Sequence, residues 1–186
     1  MMRMNSPLGK QILALVRDAD YAHAGEEASI ALTFAKIPKD PGRRMLDVGC
    51  GRGGTAHYLN ANGWGNVTGV DIDAESIAYA RRTYPVLTFR EADVCTVSAT
   101  LSGRFDLIYL FNAYYAFPDH ARALGQLRRL IRPGGLLVIN DYTVKPGGHG
   151  KVPFADWHPI ECETLPVLFA AAGWRDVALL FGALLL

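Results

Sequence analysis

The stretch LDVGCGRGG, from Leu46 to Gly54, joins residue types that together can hold a charged small molecule. Arg44 to Val48 reads as a short buried strand, Gly49 and Gly51 allow a turn too tight for side chains, and a helix opens near Gly53. A strand that runs into a glycine loop and then a helix brings backbone N–H groups close to a ligand, in the crevice at the strand's carboxyl end. The spacing Gly49-x-Gly51-x-x-Gly54 also fits the dinucleotide fingerprint, so the glycines alone leave the ligand open. Asp47 narrows the choice. A carboxylate just ahead of the first glycine repels a pyrophosphate and attracts a ligand that carries an ammonium or sulfonium charge. Cys50, between the glycines, is read as packed under the loop, because the sequence fixes no histidine beside it to make it a nucleophile.

Two further acids stand at equivalent places. Asp71 follows the second strand, about twenty residues on, where a carboxylate can accept hydrogen bonds from both ribose hydroxyls of a nucleoside. Nicotinamide sites use the same device, so Asp71 does not separate the candidate cofactors. Asp73, two residues later, is read as a helix cap. Asp93, in EADV, follows the third strand. Asp106 begins the fourth strand, at the opposite end of the sheet, and is read as structural. At the carboxyl end of the fourth strand stand Asn112, Tyr114 and Tyr115, and after the fifth stand Asp141 and Tyr142, followed by a proline- and glycine-rich loop with His149 and His158. One of Tyr114 and Tyr115 is expected in the core, and the other can offer an aromatic face to a cation. His57 is read as a partly exposed helix residue, and Arg52 as facing solvent.

Asp47 with its glycines, Asp71 and Asp93 resemble the cofactor half of the class I S-adenosylmethionine-dependent methyltransferases, over the chain from about Arg43 onward. The resemblance implies an α/β, Rossmann-like fold: a mostly parallel seven-stranded sheet with helices on both faces and an antiparallel C-terminal edge hairpin. S-adenosylmethionine would be the cofactor and S-adenosylhomocysteine the product. Asp93 would accept from the adenine amino group, with the Val94 N–H on a ring nitrogen. The cofactor-binding set it implies is Tyr21, Asp47, Gly49, Cys50, Gly51, Asp71, Ile72, Asp93, Val94 and Asn112. In the family an N-terminal segment folds over cofactor and substrate. Here Tyr21 and His23 lie in its break: Tyr21 reaches the pocket or packs, and His23 is read as a surface residue.

Methyl transfer is an in-line displacement, so the main task is alignment, and a base is needed only when the acceptor arrives protonated. Asn112, Tyr115, Asp141 and His149 are the catalytic candidates, with His158 a further possible base. Amino-methylating members of the family often carry Asn-Pro-Pro-Tyr after the fourth strand. This chain has Asn112 and Tyr115 but neither proline, and a small-molecule acceptor with nitrogen preferred over oxygen is expected. Two rivals share the glycine pattern: a nicotinamide-dependent oxidoreductase, and a module that binds the cofactor without catalysis.

These residues need elements to position them. Helical periodicity covers residues 7–18 and a second stretch with Ile30, Phe34 and Ile37 on one face, ended by Pro38. Strands are expected at 44–48, 66–70, 87–90, 105–111 and 136–140, alternating with helices at 55–62, 74–84 and from Pro118 to a stop at Gly134. The apolar face of that last helix is Ala121, Leu124, Leu127 and Ile131. A helix at 164–172 and final strands at 177–180 and 183–186 complete the pattern. Alternation of this kind implies a parallel sheet covered on both faces. The 186 residues fit one domain, with 1–40 a helical cap and 41–186 the core. A formal charge of +1 provides no field to recruit nucleic acid or an anionic membrane. Three cysteines without a CxxC suit a reducing compartment and no metal site. No apolar run reaches membrane-spanning length and no signal peptide is evident, so a cytoplasmic monomer or homodimer is expected.

Overall fold

The computed structural model describes residues 20, 21, 23, 25–144, 158 and 160–178. In chain order the elements are α1 (Glu26–Phe34), β1 (Arg44–Val48), α2 (Gly54–Ala61), β2 (Asn66–Asp71), α3 (Ala74–Thr83), β3 (Thr88–Glu91), α4 (Val97–Thr100), β4 (Phe105–Phe111), α5 (His120–Leu130), β5 (Ile131–Asn140) and α6 (Leu165–Ala171). The strands form one five-stranded sheet in the order β3-β2-β1-β4-β5, with every pair parallel. The chain therefore reverses its winding between β1 and β4, and a crevice opens at their carboxyl ends.

The run FDLIYLF alternates between two cores. Leu107, Tyr109 and Phe111 pack with Ile30 and Phe34 of α1, Ala56 and Leu59 of α2, and Ile77 and Ala80 of α3. Phe105, Ile108 and Leu110 pack on the other face with Val97 of α4, Leu124 and Leu127 of α5, and Leu165 of α6. Each such buried side chain contributes about 1.5–3 kcal/mol of transfer free energy. Two aspartates start helices: Asp73 accepts from the Glu75 N–H at 3.2 Å, and Asp119 accepts from the Arg122 N–H at 2.9 Å. Asp106 accepts the Arg44 N–H at 2.7 Å and pairs with Arg132, which fixes the amino-terminal edge of the sheet as expected.

Several expectations are corrected. The helix read from Pro118 to Gly134 starts at His120, after its Asp119 cap, and stops at Leu130, because Ile131 leaves it to pair with Phe105 in β5. Gly134, at φ +75°, lies where the β4–β5 register shifts instead of ending a helix. Ala121 is exposed, and Ala123 and Leu130 complete the buried face. Of the seven strands expected, five are present among the described residues and no antiparallel edge is seen. Val177 and Ala178 are not in a strand, and the remainder of the expected hairpin lies outside the described residues, as does the helix expected at 7–18.

Candidate functional site

The glycine loop is wired to β2. The N–H groups of Gly49 and Cys50 both donate to the Val70 carbonyl, at 2.8 and 3.0 Å, and the Gly51 N–H donates to Asp71 Oδ2 at 2.7 Å. Gly49 holds φ +78°, and a Cβ there would stand 2.4 Å from the Ala113 Cβ after β4, so a side chain is excluded twice over. Gly51, at φ +51°, faces open space. Cys50 is buried under the loop, its Sγ beside Gly69, as its neighbours in sequence suggested. Asp71 also accepts the Asp73 N–H at 3.0 Å, so one carboxylate orients the loop and the start of α3 together.

Asp47 lies across from Gly69 in β2 and Tyr109 in β4. It is 2 % exposed, and its Oδ2 has no hydrogen-bond partner. Burial pushes its carboxyl up to about 8, Asp71 adds repulsion, and the facing Tyr109 hydroxyl opposes the shift. That hydroxyl is close enough to act on the carboxyl yet meets no partner in good hydrogen-bond geometry, and burial with Asp47 beside it drives the phenol well above its ordinary range. A buried acid with an orphaned oxygen thus lies beneath the glycine loop.

Asp93 follows β3, next to Ala92, whose N–H donates to the Asp71 carbonyl at 2.9 Å. Its Oδ1 turns the chain by accepting the Cys95 N–H at 2.8 Å. Val94 is buried, and Ile72 is 70 % exposed although it is a large aliphatic residue. Asp47 near the end of β1, Asp71 at the end of β2 and Asp93 just after β3 therefore stand at the carboxyl end of three adjacent strands.

Asp20, Tyr21 and His23, ahead of α1, form a strap against the start of α2. Asp20 accepts from Arg52 Nε at 2.9 Å, from the Tyr79 hydroxyl at 3.1 Å and from the Tyr84 hydroxyl at 2.8 Å. The Arg52 guanidinium also lies 3.5 Å over the Tyr79 ring. Arg52 is thus held by the strap, correcting its expected solvent position. His23 is buried as well, with Nε2 3.0 Å from the Thr55 hydroxyl and its ring 4.7 Å from Phe111. Its expected surface place is overturned because partners distant in sequence enclose it. Tyr21 donates to Glu27 at 3.1 Å while packing on the α1–α3 core. His57 is exposed and stacks on Tyr84.

At the end of β4 Asn112 takes φ +47°, a conformation asparagine tolerates better than most residues, and its N–H donates to the Asn140 carbonyl at 2.9 Å. Its amide donates to the Tyr142 hydroxyl at 3.2 Å. Tyr115 and Tyr142 stand 6.2 Å apart, centroid to centroid. Tyr114 is the member of its pair that packs in the core, against Phe117 and Phe169. Asp141 accepts the N–H groups of Tyr114, Tyr115 and Tyr142, at 2.6, 3.2 and 2.7 Å. Burial pushes its carboxyl up to about 6 against those donors. The Asp141 carboxylate is therefore engaged with the turn that presents Tyr115. His120, which the sequence reading passed over, holds the Tyr114 carbonyl at 3.0 Å, and burial lowers its pKa. His158 donates its backbone N–H to the Tyr115 carbonyl at 2.7 Å, and His149 lies outside the described residues. Asp20 and Tyr109 were also missed. The available signal for Tyr109 is a hydroxyl within the apolar run that follows Asp106 in β4.

Residues 20–179 match the family described as Methyltransferase domain. The chain belongs to the class I methyltransferase family. An O-methyltransferase of Pyrenophora dematioidea is 30 % identical over 76 % of this chain and 54 % of its own length. Trans-aconitate 2-methyltransferase of Deinococcus radiodurans is 37 % identical over 56 % of this chain and 40 % of its own. Among solved structures, Haemonchus contortus phosphoethanolamine N-methyltransferase 2, in complex with phosphomonomethylethanolamine and S-adenosylhomocysteine, superposes with a TM-score of 0.78. It is 20 % identical, over 93 % of this chain and 43 % of that one, a likeness of fold. The chain spans between 37 % and 54 % of the length of these and similar curated relatives. The family match favours the methyltransferase reading of the glycine pattern over the oxidoreductase. Among the described residues no helix is long and apolar enough to cross a membrane, and no cluster of His, Cys, Asp and Glu could hold a metal ion.

Proposed function

We propose that this protein transfers a methyl group from S-adenosylmethionine to a small-molecule acceptor, with an amine nitrogen preferred over oxygen. The observation that carries the reading is Asp47: a buried carboxyl whose Oδ2 has no partner, beneath a glycine loop in which Ala113 excludes a Cβ at Gly49. Such a site suits the ammonium and sulfonium of this cofactor and disfavours a pyrophosphate. The cofactor, when bound, supplies a methyl carbon already activated by the sulfonium.

The remaining roles belong to the chain. Asp71, at the end of β2, is suited to the ribose hydroxyls, and Gly49, Cys50 and Gly51 bring the loop close to the cofactor. The exposed Ile72 offers an apolar face for adenine, with Asp93 and the Val94 N–H for its polar edge. Tyr21, in the strap, closes over the crevice. Asn112 joins donor and acceptor sides, and Tyr115 with Tyr142 forms an aromatic corner for a cationic or amine acceptor. Asp141 positions Tyr115 through the backbone. His149 and His158 are the candidates for a base. The relatives methylate both oxygen and nitrogen by name, so the nitrogen preference rests on this corner alone.

The test is S-adenosylhomocysteine formation with a panel of amines, phenols and carboxylates. The expected result is turnover confined to, or fastest with, amines. Faster turnover of phenols or carboxylates overturns the preference, and binding without product from any acceptor supports a regulatory module instead.

A further inference from the structure

The Asp47–Tyr109 pair is not explained by packing. Both side chains are almost wholly buried, they sit opposite each other on adjacent strands, and each has an orphaned oxygen. A phenylalanine would fill the position of Tyr109 equally well, since Phe34 already packs edge-on against its ring at 5.7 Å. A buried hydroxyl without a partner is a cost, so its retention needs another reason.

We infer that Tyr109 is a positioning residue for the cofactor: its hydroxyl is held ready for the Asp47 carboxylate, which forms when the cationic cofactor binds and one proton leaves Asp47 for solvent. The pairing rests on the cofactor reading above. Without the cation, Asp47 keeps its proton because burial and the neighbouring Asp71 disfavour the charge. With a cation over the loop the charge is favoured, and the Tyr109 O–H donates to it. The proton balance closes, since the pair loses one proton to buffer and no electrons move.

The groups that bear on this site are few. Asp71 faces Asp47 from β2, Tyr109 from β4, and Cys50 in the loop acts on Tyr109. Helices α1 and α2 bring Ile30, Phe34, Ala56 and Leu59 to the same core. His23, from the strap, stacks on Phe111 further along β4 and is turned to Thr55.

The experiment is calorimetric titration of the whole chain with S-adenosylhomocysteine and S-adenosylmethionine, in buffers of different ionisation enthalpy, from pH 6 to 9. The wild-type protein should release close to one proton per ligand near neutral pH, and the release should fade as the pH passes about 8. Tyr109→Phe should keep its folded spectrum and melting temperature, weaken binding about tenfold at neutral pH, and move the midpoint of the pH dependence upward. Asp47→Asn should abolish the proton release, and it serves as the control should Tyr109→Phe fold poorly. Binding without proton release in the wild type, or an unchanged midpoint in Tyr109→Phe, overturns the pairing while leaving the cofactor reading intact. Absence of binding by either ligand at any pH overturns the cofactor reading, and the pairing with it.

Discussion

The two halves of the crevice are built differently. In the donor half, at the ends of β1, β2 and β3, the turns themselves are tied by near neighbours: Asp73 and Asp93 accept from their own turns, and Asp71 holds Gly51 from the adjacent strand, while Asp20 reaches Arg52, Tyr79 and Tyr84 across 32 to 64 residues. The acceptor half, at the ends of β4 and β5, is assembled from a distance. Asp141 grips the Tyr114 and Tyr115 backbone across 27 and 26 residues, and Asn140 reaches 107 residues back to Thr33 in α1. A donor site whose turns are tied by their own residues around a glycine loop can be shared by enzymes with many acceptors. An acceptor site made of long-range contacts is where such enzymes can differ.

Five variants break or sharpen that contrast. The largest effect is expected at Asp47. Its carboxyl is raised from 3.8 to about 8, so the folded state holds a proton the unfolded chain has released. Stability is therefore full below the ordinary carboxylate range and falls as pH rises toward 8, by about 1.4 kcal/mol per pH unit for one group. Asp141 acts in the same direction only up to about 6, so of these two groups Asp47 alone sets the slope from pH 6 to 8. Asp47→Asn should flatten the slope in that range, read by urea melts; an unchanged slope would show that the wild-type carboxyl is already ionised there.

Gly49→Ala comes next. It combines a left-handed backbone with overlap on Ala113, for a cost of about 3 kcal/mol and loss of cofactor binding. A variant that melts and binds as the wild type does would refute the tight approach of loop and β4. Asp141→Ala strands backbone donors and should cost about 2 kcal/mol, with acceptor turnover reduced more than cofactor affinity. Equal losses in both would erase the distinction between the halves. The smallest effect separates neighbouring acids: Asp71→Ala should weaken cofactor binding at least tenfold, and Asp73→Ala, a helix cap, by less than threefold with about 1 kcal/mol of stability lost. Equal effects on binding would mean the wrong acid was chosen.

The same contrast governs what the sequence revealed. Strands β1 and β4 coincide with their expected bounds, because a glycine loop ends one and a near-continuous apolar run defines the other. The Asp73 cap and the buried Cys50 follow from neighbours a few residues away. His23, Arg52 and Tyr109 take their places from partners tens of residues distant, Thr55, Asp20 and Asp47, and no local pattern announces such meetings. The junction of α5 and β5 was misplaced for a similar reason. Ile131 continues the helical periodicity, and only its pairing with Phe105 claims it for the sheet.

The central claim is that an acid beneath the loop adapts this crevice to a cationic adenosyl donor. Parallel titrations of the wild-type protein with S-adenosylmethionine and with NADH, followed by calorimetry at neutral pH, test it most directly. The account predicts saturable one-to-one binding of S-adenosylmethionine and no heat from NADH. Tight NADH binding, with S-adenosylmethionine inert, would contradict it.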